Sequence, residues 1–281
     1  MRLLVFGQTG QVARALHSLA PEATFLSRAG ADLMDPAACA AAIRSRHPDA
    51  VINAAAWTAV DRAEAESAAA QTVNAEAPGA MARACAALDI PFLHVSTDYV
   101  FDGSGTEPWQ PDAAAGPLNA YGHSKLAGEE AVRAAGGRHA ILRTNWVFSA
   151  DGANFVTTML RLSETRDTLG IVDDQVGGPT PAGSVARALL RIAEALAAGH
   201  PSGTWHIAGR PYVSWAEFAR WIFRFAERPV TVTPIASEDY PAPARRPHNS
   251  RLDCTSLLRD FGMAQPDWKA ALRADIRRLT E

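Results

Sequence analysis

Short apolar runs alternate with longer alanine-rich segments through the first half of the chain, and this alternation constrains the fold most strongly. The short runs have the composition of buried strands, whereas the longer segments follow a helical period. Strands are predicted at 2–6, 24–26, 50–53, 91–95 and 139–142, and helices at 11–19, 36–46, 70–88, 119–135 and 182–198. This order predicts an α/β fold, a Rossmann-like doubly wound parallel sheet with helices on both faces.

The regularity weakens after about Asn145, where proline and glycine become frequent. They cluster at 177–181 and recur as Pro241, Pro243 and Pro247, which is typical of irregular connections. We therefore expect a dinucleotide-binding domain at 1–145, to which the chain returns at about 181–208. A smaller, irregular α/β substrate-binding domain is expected from most of 146–281.

The net charge and the cysteine content exclude several classes of partner and of site. The formal net charge is −3, so no basic excess attracts nucleic acid or an anionic membrane, and a small molecule is the expected partner. The cysteines Cys39, Cys85 and Cys254 are far apart and lack a C-x-x-C spacing, so neither a disulfide framework nor a zinc site is expected. The chain has no apolar run long enough for a membrane span or a signal-peptide core, and a cytoplasmic location is expected.

A glycine turn follows the first predicted strand. Gly7 suits a tight turn, Gly10 lets the backbone approach a pyrophosphate, and Ala13 is small enough for the helix to pack on the strand. The N-terminus of that helix would face the anion. The spacing is G-x-x-G-x-x-A and not G-x-G-x-x-G, so a glycine turn without a ligand is the alternative. Its position at the first strand favours dinucleotide binding.

The end of the second strand bears on the choice of cofactor. An acidic residue there would bind the ribose of NAD, whereas a cation would accept the 2′-phosphate of NADP. Arg28 occupies this region, which favours NADPH over NADH, although an arginine that simply faces solvent is the alternative. Asp32 either contacts the cofactor or caps the next helix. Small residues after the third strand, at 53–58, would let adenine and ribose lie against the backbone.

A tyrosine and a lysine four residues apart begin the helix predicted at 119–135. Tyr121 and Lys125 would share one face of that helix, whereas His123 and Ser124 would be exposed. An ammonium at about 4 Å would favour the phenolate by roughly 4 kcal/mol at an effective dielectric of about 20, or about three pKa units. Thr97, at the end of the fourth strand, supplies a hydroxyl able to bridge the tyrosine and a substrate carbonyl. A surface Tyr–Lys pair is the alternative.

These stretches together resemble the extended short-chain dehydrogenase/reductases, and within them the reductases of nucleotide-linked keto sugars. The resemblance runs nearly end to end. It rests on FGQTGQV at 6–12, NAAA at 53–56 with TAVD at 58–61, STDYVF at 96–101, Tyr121 with Lys125, RTNWV at 143–147 and PARRPHNS at 243–250. It implies NAD(P)H-dependent reduction of the C4 ketone of a dTDP-4-keto-6-deoxy sugar.

The resemblance also implies roles for individual residues. Tyr121 would be the proton donor, Lys125 its partner and a ligand of the nicotinamide ribose, and Thr97 the bridging hydroxyl. The sugar nucleotide would meet Thr97, Asp98 and Trp146. The cofactor would be lined by Gly7, Gly10, Gln11, Val12, Arg28, Asp32, Leu33, Ala56, Trp57 and Thr58. Relatives that bind magnesium use a carboxylate where this chain has Ala15, so no metal site is predicted.

The proline-rich tail adds a candidate anion site. Arg245 and Arg246 would clamp the diphosphate through bidentate contacts, and Asn249 would orient one of them or the nucleotide. The alternative for Arg245 and Arg246 is a surface turn that binds no ligand. The alternative for Trp146 is a position in the core. Two other functions stay open: a nucleotide-sugar epimerase or dehydratase that retains NAD, and a non-catalytic regulatory subunit. The sequence does not decide between a monomer and a homodimer.

Overall fold

The structure, a computed structural model, describes residues 1–280 and contains strands and helices in regular alternation up to Thr144. The strands are β1 (Leu3–Phe6), β2 (Thr24–Leu26), β3 (Ala50–Asn53), β4 (Phe92–Thr97), β5 (His139–Thr144), β6 (Val147–Phe148), β7 (Thr168–Val172), β8 (Val176–Gly177), β9 (Thr180–Pro181), β10 (Gly203–Ile207), β11 (Val213–Ser214), β12 (Thr231–Ile235) and β13 (Asn249–Ser250). The helices are α1 (Gln11–Leu19), α2 (Pro36–Arg46), α3 (Val60–Ala65), α4 (Ser67–Gln71), α5 (Ala77–Ala87), α6 (Ala120–Ala134), α7 (Phe155–Leu162), α8 (Ala182–Ala197), α9 (Trp215–Phe225), α10 (Thr255–Phe261) and α11 (Trp268–Thr280).

The larger lobe is built on a six-stranded sheet in the order β10-β5-β4-β3-β1-β2. Every neighbouring pair is parallel. Strands β1 and β3 are buried throughout, as expected for strands covered by helices on both faces. The predicted α/β fold with a doubly wound parallel sheet is confirmed. The strand order reverses at β1, and ligands of such sheets bind beyond the carboxyl ends of the strands at this point.

One predicted helix differs in detail. The helix expected at 70–88 begins earlier, as α4, and contains a π-helical turn at Thr72–Glu76 before it continues as α5. Gly128 of α6 lies against this wide turn, and a Cβ at Gly128 would be 2.0 Å from the carbonyl oxygen of Asn74. The glycine therefore allows α6 to approach the turn closely. Helical periodicity alone does not reveal such a bulge.

The smaller lobe has its own apolar core. It is built from α7, α9 and α11 around aromatic residues such as Phe148, Phe218 and Trp268. Short strands complete it: β12 pairs with β7, and β8 lies between β11 and β13. Helix α8 and strand β10, by contrast, pack in the larger lobe, where β10 pairs with β5. No helix within residues 1–280 combines the length and apolarity needed to cross a bilayer.

Candidate active site

The turn after β1 has the geometry that a dinucleotide needs. Gly7 has a φ of +109°, and a Cβ there would lie 3.3 Å from the backbone of Ala54, which follows β3. Gly10 is the N-cap of α1, has no capping side chain, and would place a Cβ in open space. Ala13 lies on the fully buried face of α1. The helix N-terminus is therefore open to an anion at the point where the strand order reverses.

The side chain of Gln11 links the two lobes. Its Nε2 donates to the carbonyl of Val147 at 3.2 Å, and its Oε1 accepts from Ser149 and Asn154 at 3.0 Å each. Val12 is half-buried against the core of the larger lobe. Both residues thus lie in the first turn of α1, where their backbone groups face the same edge as Gly10.

Past β2, Arg28 is exposed. Asp32 is half-buried, and its Oδ1 accepts from the amide of Met34 at 2.9 Å. The helix cap is Asp35, which accepts from Ala38, so the interpretation of Asp32 as the cap of α2 is wrong. Asp32, which forms an Asx turn, and Asp35, which caps the helix, are three residues apart. Because an aspartate shortly before a helix can do either, the sequence does not distinguish the two roles. Leu33 is buried in the core below.

The segment after β3 is held by Asn74 from the π-helical turn. The Asn74 side chain accepts from the Trp57 amide at 2.8 Å and donates to the Trp57 carbonyl at 3.0 Å. Arg62 lies 5.0 Å over the Trp57 ring. Ala56 is half-buried and Thr58 exposed. Trp57 is therefore fixed through its backbone and through its indole Nε1, which donates to the carbonyl of Ala59 at 3.2 Å, and its ring is only half-buried.

Thr97 and Tyr121 meet at the end of β4. The Thr97 hydroxyl accepts from the amide of Tyr99 and donates to Asp98 at 3.1 Å, and it lies near enough to the hydroxyl of Tyr121 to lower the pKa of that phenol. Asn119 caps α6 by accepting from Gly122 and so fixes the start of the helix that carries Tyr121. Burial raises the pKa of Tyr121 to about 12, and the nearby hydroxyl of Thr97 offsets only part of this effect.

Lys125 is almost fully buried and points at β4. Its Nζ lies 2.7 Å from the carbonyl oxygen of Val95 and 3.1 Å from Nε2 of His94. Burial lowers the pKa of Lys125 to about 8, and the charge of Glu129 opposes this effect. The prediction that Lys125 lowers the pKa of Tyr121 is wrong for this structure. The Lys125 Nζ lies against the carbonyl of Val95 and His94, and burial of the phenol dominates the pKa of Tyr121.

Asp98 is the other titratable group of the site. Burial raises its pKa to about 6, and the hydroxyls of Ser250 and Thr97 offset part of the shift. Within residues 1–280, its Oδ2 has no partner of hydrogen-bonding geometry. A buried, unpartnered carboxylate oxygen is a ready acceptor for a ligand hydroxyl.

Several residues of this region escaped the sequence-based prediction. Ser124 was expected to be exposed, but it is buried and accepts from Asn74 at 3.0 Å, because the π-helical turn covers that face of α6. His94 is fully buried in β4. Glu129 is buried and bonded to Arg143 through both carboxylate oxygens, at 2.8 and 2.7 Å. A lone histidine in an apolar strand was the only available signal.

Trp146 lies where the two lobes join. It has a φ of +44°, which is unusual for a bulky residue, and its ring stacks on Trp215 at 3.6 Å. Gly177 faces the same ring, and the indole remains half-buried. The ring therefore has one face packed in the smaller lobe, so it is neither free nor wholly in the core.

The tail segment meets α3. Arg246 donates to Asp61 at 2.7 Å and is half-buried, whereas the side chain of Arg245 is exposed. Asn249 is buried, donates to the carbonyls of Ser104 and Glu107, and accepts from Arg251. Among residues 1–280, the Asn249 side chain is therefore bonded to neither Arg245 nor Arg246, and its expected role toward the nucleotide stays a prediction. Its short amide is used to hold the neighbouring loop.

Across residues 1–280, no three His, Cys, Asp or Glu side chains lie close enough together to hold a metal ion. The position expected to bear a carboxylate in magnesium-binding relatives, Ala15, packs against the core of the larger lobe.

The chain is similar to known proteins both in sequence and in fold. The family described as RmlD substrate binding domain matches residues 1–281. A dTDP-4-dehydrorhamnose reductase of Sinorhizobium fredii is 43% identical over 97% of this chain and 96% of its own. A structure of such a reductase from Clostridium acetobutylicum has a TM-score of 0.94 at 35% identity, with both chains fully covered.

A second similar structure was solved with a bound nucleotide. The Bacillus anthracis dTDP-4-dehydrorhamnose reductase, in complex with NADP, has a TM-score of 0.91 at 31% identity and covers 99% of both chains. The relatives described above are dTDP-4-dehydrorhamnose reductases. Because the family matches the whole sequence and the fold agrees, the chain belongs to the RmlD family.

Proposed function

We propose that this protein reduces the C4 ketone of dTDP-4-dehydro-L-rhamnose to give dTDP-L-rhamnose, with NADPH as the reductant. The observation that carries the proposal is the placement of Thr97, at the carboxyl end of β4, beside Tyr121 of α6 and on the same edge of the sheet as the open N-terminus of α1. A proton donor and an anion-binding turn thus lie on one edge of one sheet. The full-length similarity to named reductases supports the same reaction.

The residues of the turn fit a dinucleotide. Gly7 and Gly10 leave space beside the uncapped helix for a pyrophosphate, together with the backbone of Gln11 and Val12. Arg28 is exposed and available for a 2′-phosphate, and a similar reductase has been solved with NADP. Lys125 would reach the nicotinamide ribose. Bound NADPH supplies a hydride to the sugar carbon.

The remaining proposed cofactor contacts lie beyond the carboxyl ends of β2 and β3. Asp32 and Leu33 border the adenosine end, beyond β2, and the segment after β3 borders the middle. The latter contributes Ala56, Trp57 and Thr58.

Tyr121 supplies the proton that the reduction consumes. As hydride reaches C4, the carbonyl oxygen becomes an alkoxide, and the phenol O–H of Tyr121 transfers its proton there to complete the alcohol. A pKa of about 12 keeps that phenol protonated at neutral pH. Thr97, whose hydroxyl lies near that of Tyr121, is proposed to orient both it and the substrate oxygen.

The sugar nucleotide is proposed to bind between the lobes. The unpartnered oxygen of Asp98 accepts a hydrogen bond from a sugar hydroxyl, and the half-buried ring of Trp146 packs on the sugar nucleotide. Arg245 and Arg246 bind the diphosphate, with Arg246 dominant because Asp61 already fixes its guanidinium. Asn249 supports the loop beneath. Free thiols at all three cysteines suit a reducing cytoplasm.

The test is consumption of reduced cofactor by the purified protein. With dTDP-4-dehydro-L-rhamnose and NADPH, we expect one cofactor oxidised for each dTDP-L-rhamnose formed, the product being identified by NMR. NADH should support a slower rate. Turnover without net cofactor oxidation would indicate an epimerase or dehydratase, and the absence of turnover with every nucleotide sugar tried would indicate a regulatory subunit.

A further inference from the structure

Asn119 joins two segments to which the proposed function gives different tasks. It is the N-cap of α6, the helix that carries Tyr121. Its side chain also contacts the tail segment, residues 243–250, which carries Arg245 and Arg246. Asn119 is buried. The contact could not be predicted from the sequence, because only the fold brings the tail segment, 126 residues further along the chain, against the start of α6.

The two ends of the Asn119 amide have different partners. Its Oδ1 accepts from the backbone N–H of Gly122 at 2.8 Å, and its Nδ2 donates to the backbone carbonyl of Arg245 at 2.7 Å. Because an N–H only donates and a carbonyl only accepts, these partners decide the orientation of the amide. One planar group therefore connects the first turn of α6 to the tail segment.

Helix α3 holds both segments from the other side. Asp61, which is paired with the tail, also accepts from the backbone amide of Ala244 at 3.2 Å. Glu64, one turn along α3, accepts from the backbone amide of Ala120, the first residue of α6, at 2.8 Å. Glu64 is exposed and Asn119 is buried, so water competes less for the Asn119 bonds. The direct connection between the tail segment and α6 is therefore the Asn119 side chain.

We propose that Asn119 is a positioning residue that couples binding of the substrate diphosphate at the tail segment to the placement of Tyr121. The inference rests on the proposed function, in which Arg245 and Arg246 bind the diphosphate. An anion that fixes the tail segment also fixes the carbonyl of Arg245, which in turn fixes the Asn119 amide and the start of α6. Binding energy from a remote part of the substrate is thereby used to orient the proton donor.

Substitutions can separate the two bonds of Asn119. Asn119→Ser retains a side chain that caps helices about as well as asparagine, but this side chain ends one bond short of Nδ2 and loses the carbonyl of Arg245. Asn119→Ala loses both bonds. Glu64→Ala is the matched control, because it removes the exposed contact with the first turn of α6 and leaves the bond between α6 and the tail segment intact.

Hydrogen exchange with and without dTDP tests the coupling without turnover. In the wild-type protein, saturating dTDP should slow exchange by about fivefold or more in peptides that cover 243–250 and 119–124. In Asn119→Ser, the tail peptide should still be protected, whereas the effect of dTDP on the α6 peptide should disappear. Glu64→Ala should retain both effects.

A double-mutant cycle on kcat, with the dTDP-sugar and NADPH, separates positioning from capping. Asn119→Ser should lower kcat by about fivefold or more, because Tyr121 is no longer held by the bound diphosphate. The same substitution made in Arg246→Ala should have little further effect, because the anion no longer fixes the tail segment. Additive losses in kcat would assign Asn119 a structural role only.

Two exchange results would overturn the inference. The first is a wild-type protein in which dTDP protects the tail peptide but not the α6 peptide, which needs no variant to fold. The second is Asn119→Ser with both peptides protected as in the wild type. If dTDP protects neither peptide of the wild type, the proposed diphosphate site fails and the coupling fails with it. If the coupling is observed but no dTDP-sugar is reduced, the proposed reaction alone fails.

Discussion

The proposed cofactor edge and the proposed catalytic wall lie at the same end of the sheet but are built in opposite ways. The cofactor edge, comprising Gly7, Gly10 and Arg28, consists of backbone, missing side chains and one exposed cation. The catalytic wall, comprising Thr97, Tyr121 and Lys125, consists of side chains, and two of them, Thr97 and Lys125, are hydrogen-bonded to buried neighbours.

This difference has a consequence for substitutions. On the cofactor edge, a change alters the fit of a ligand but leaves few unpaired groups inside the protein. On the catalytic wall, a change leaves a buried polar partner unsatisfied, which typically costs about 1–3 kcal/mol, and more for a charge. Substitutions in the wall should therefore affect rate and stability more than substitutions at the edge.

The largest effect on rate is expected for Tyr121→Phe in the wall. The variant retains the ring but lacks the proton that the alkoxide needs, so kcat should fall by about 10²- to 10⁴-fold. Binding of NADPH should be nearly unchanged in a fluorescence titration. Tyr240→Phe, at an exposed position, is the matched control. Full turnover by Tyr121→Phe would remove this residue from the mechanism.

Behind the wall, Glu129→Gln should give the largest loss of stability. Although burial acts to raise it, the pKa of Glu129 is held below its usual value by Arg143. Loss of the carboxylate charge leaves Arg143 buried without its anion, which typically costs about 3–5 kcal/mol. Urea unfolding measures the loss, and Glu130→Gln, next along the helix and exposed, is the control. Equal midpoints for both variants would contradict the account.

An intermediate effect is expected where the tail meets α3. Arg246→Ala should weaken binding of the dTDP-sugar by about 1.5–3 kcal/mol, the scale of a charged hydrogen bond, and leave NADPH binding unchanged. Arg245→Ala should have a smaller effect. Asp61→Asn also breaks the ion pair but keeps the guanidinium, so it should retain most of the affinity. Equal losses in Arg246→Ala and Asp61→Asn would assign Arg246 a structural role only.

The smallest change, and one of selectivity, is expected for Arg28→Asp at the cofactor edge. The variant should lose about tenfold or more of its affinity for NADPH, through the lost attraction and the added repulsion, while its affinity for NADH changes little. Arg44→Asp on α2, also exposed, controls for the general change in charge. If titrations show that Arg28→Asp weakens both cofactors equally, Arg28 does not select the phosphate.

The two regions also differ in how far the sequence predicts them. The turn at Gly7 could be predicted because a positive φ and a close backbone approach require glycine, and the requirement is local. The Tyr121–Lys125 pair could be predicted from helical spacing. The partners of Lys125 could not, because His94 lies 31 residues away in sequence and meets it only through the packing of α6 on β4. The direction of the pKa shift at Tyr121 depends on that packing.

The central claim is that hydride passes to C4 of the sugar and leaves the cofactor oxidised. The most direct measurement uses NADPH carrying deuterium at C4 of the nicotinamide, on the transferable face, with dTDP-4-dehydro-L-rhamnose. NMR and mass spectrometry of the product should show one deuterium, located at C4 of the sugar, and one NADP formed for each product molecule. Product without deuterium, or deuterium at another carbon, would contradict the account.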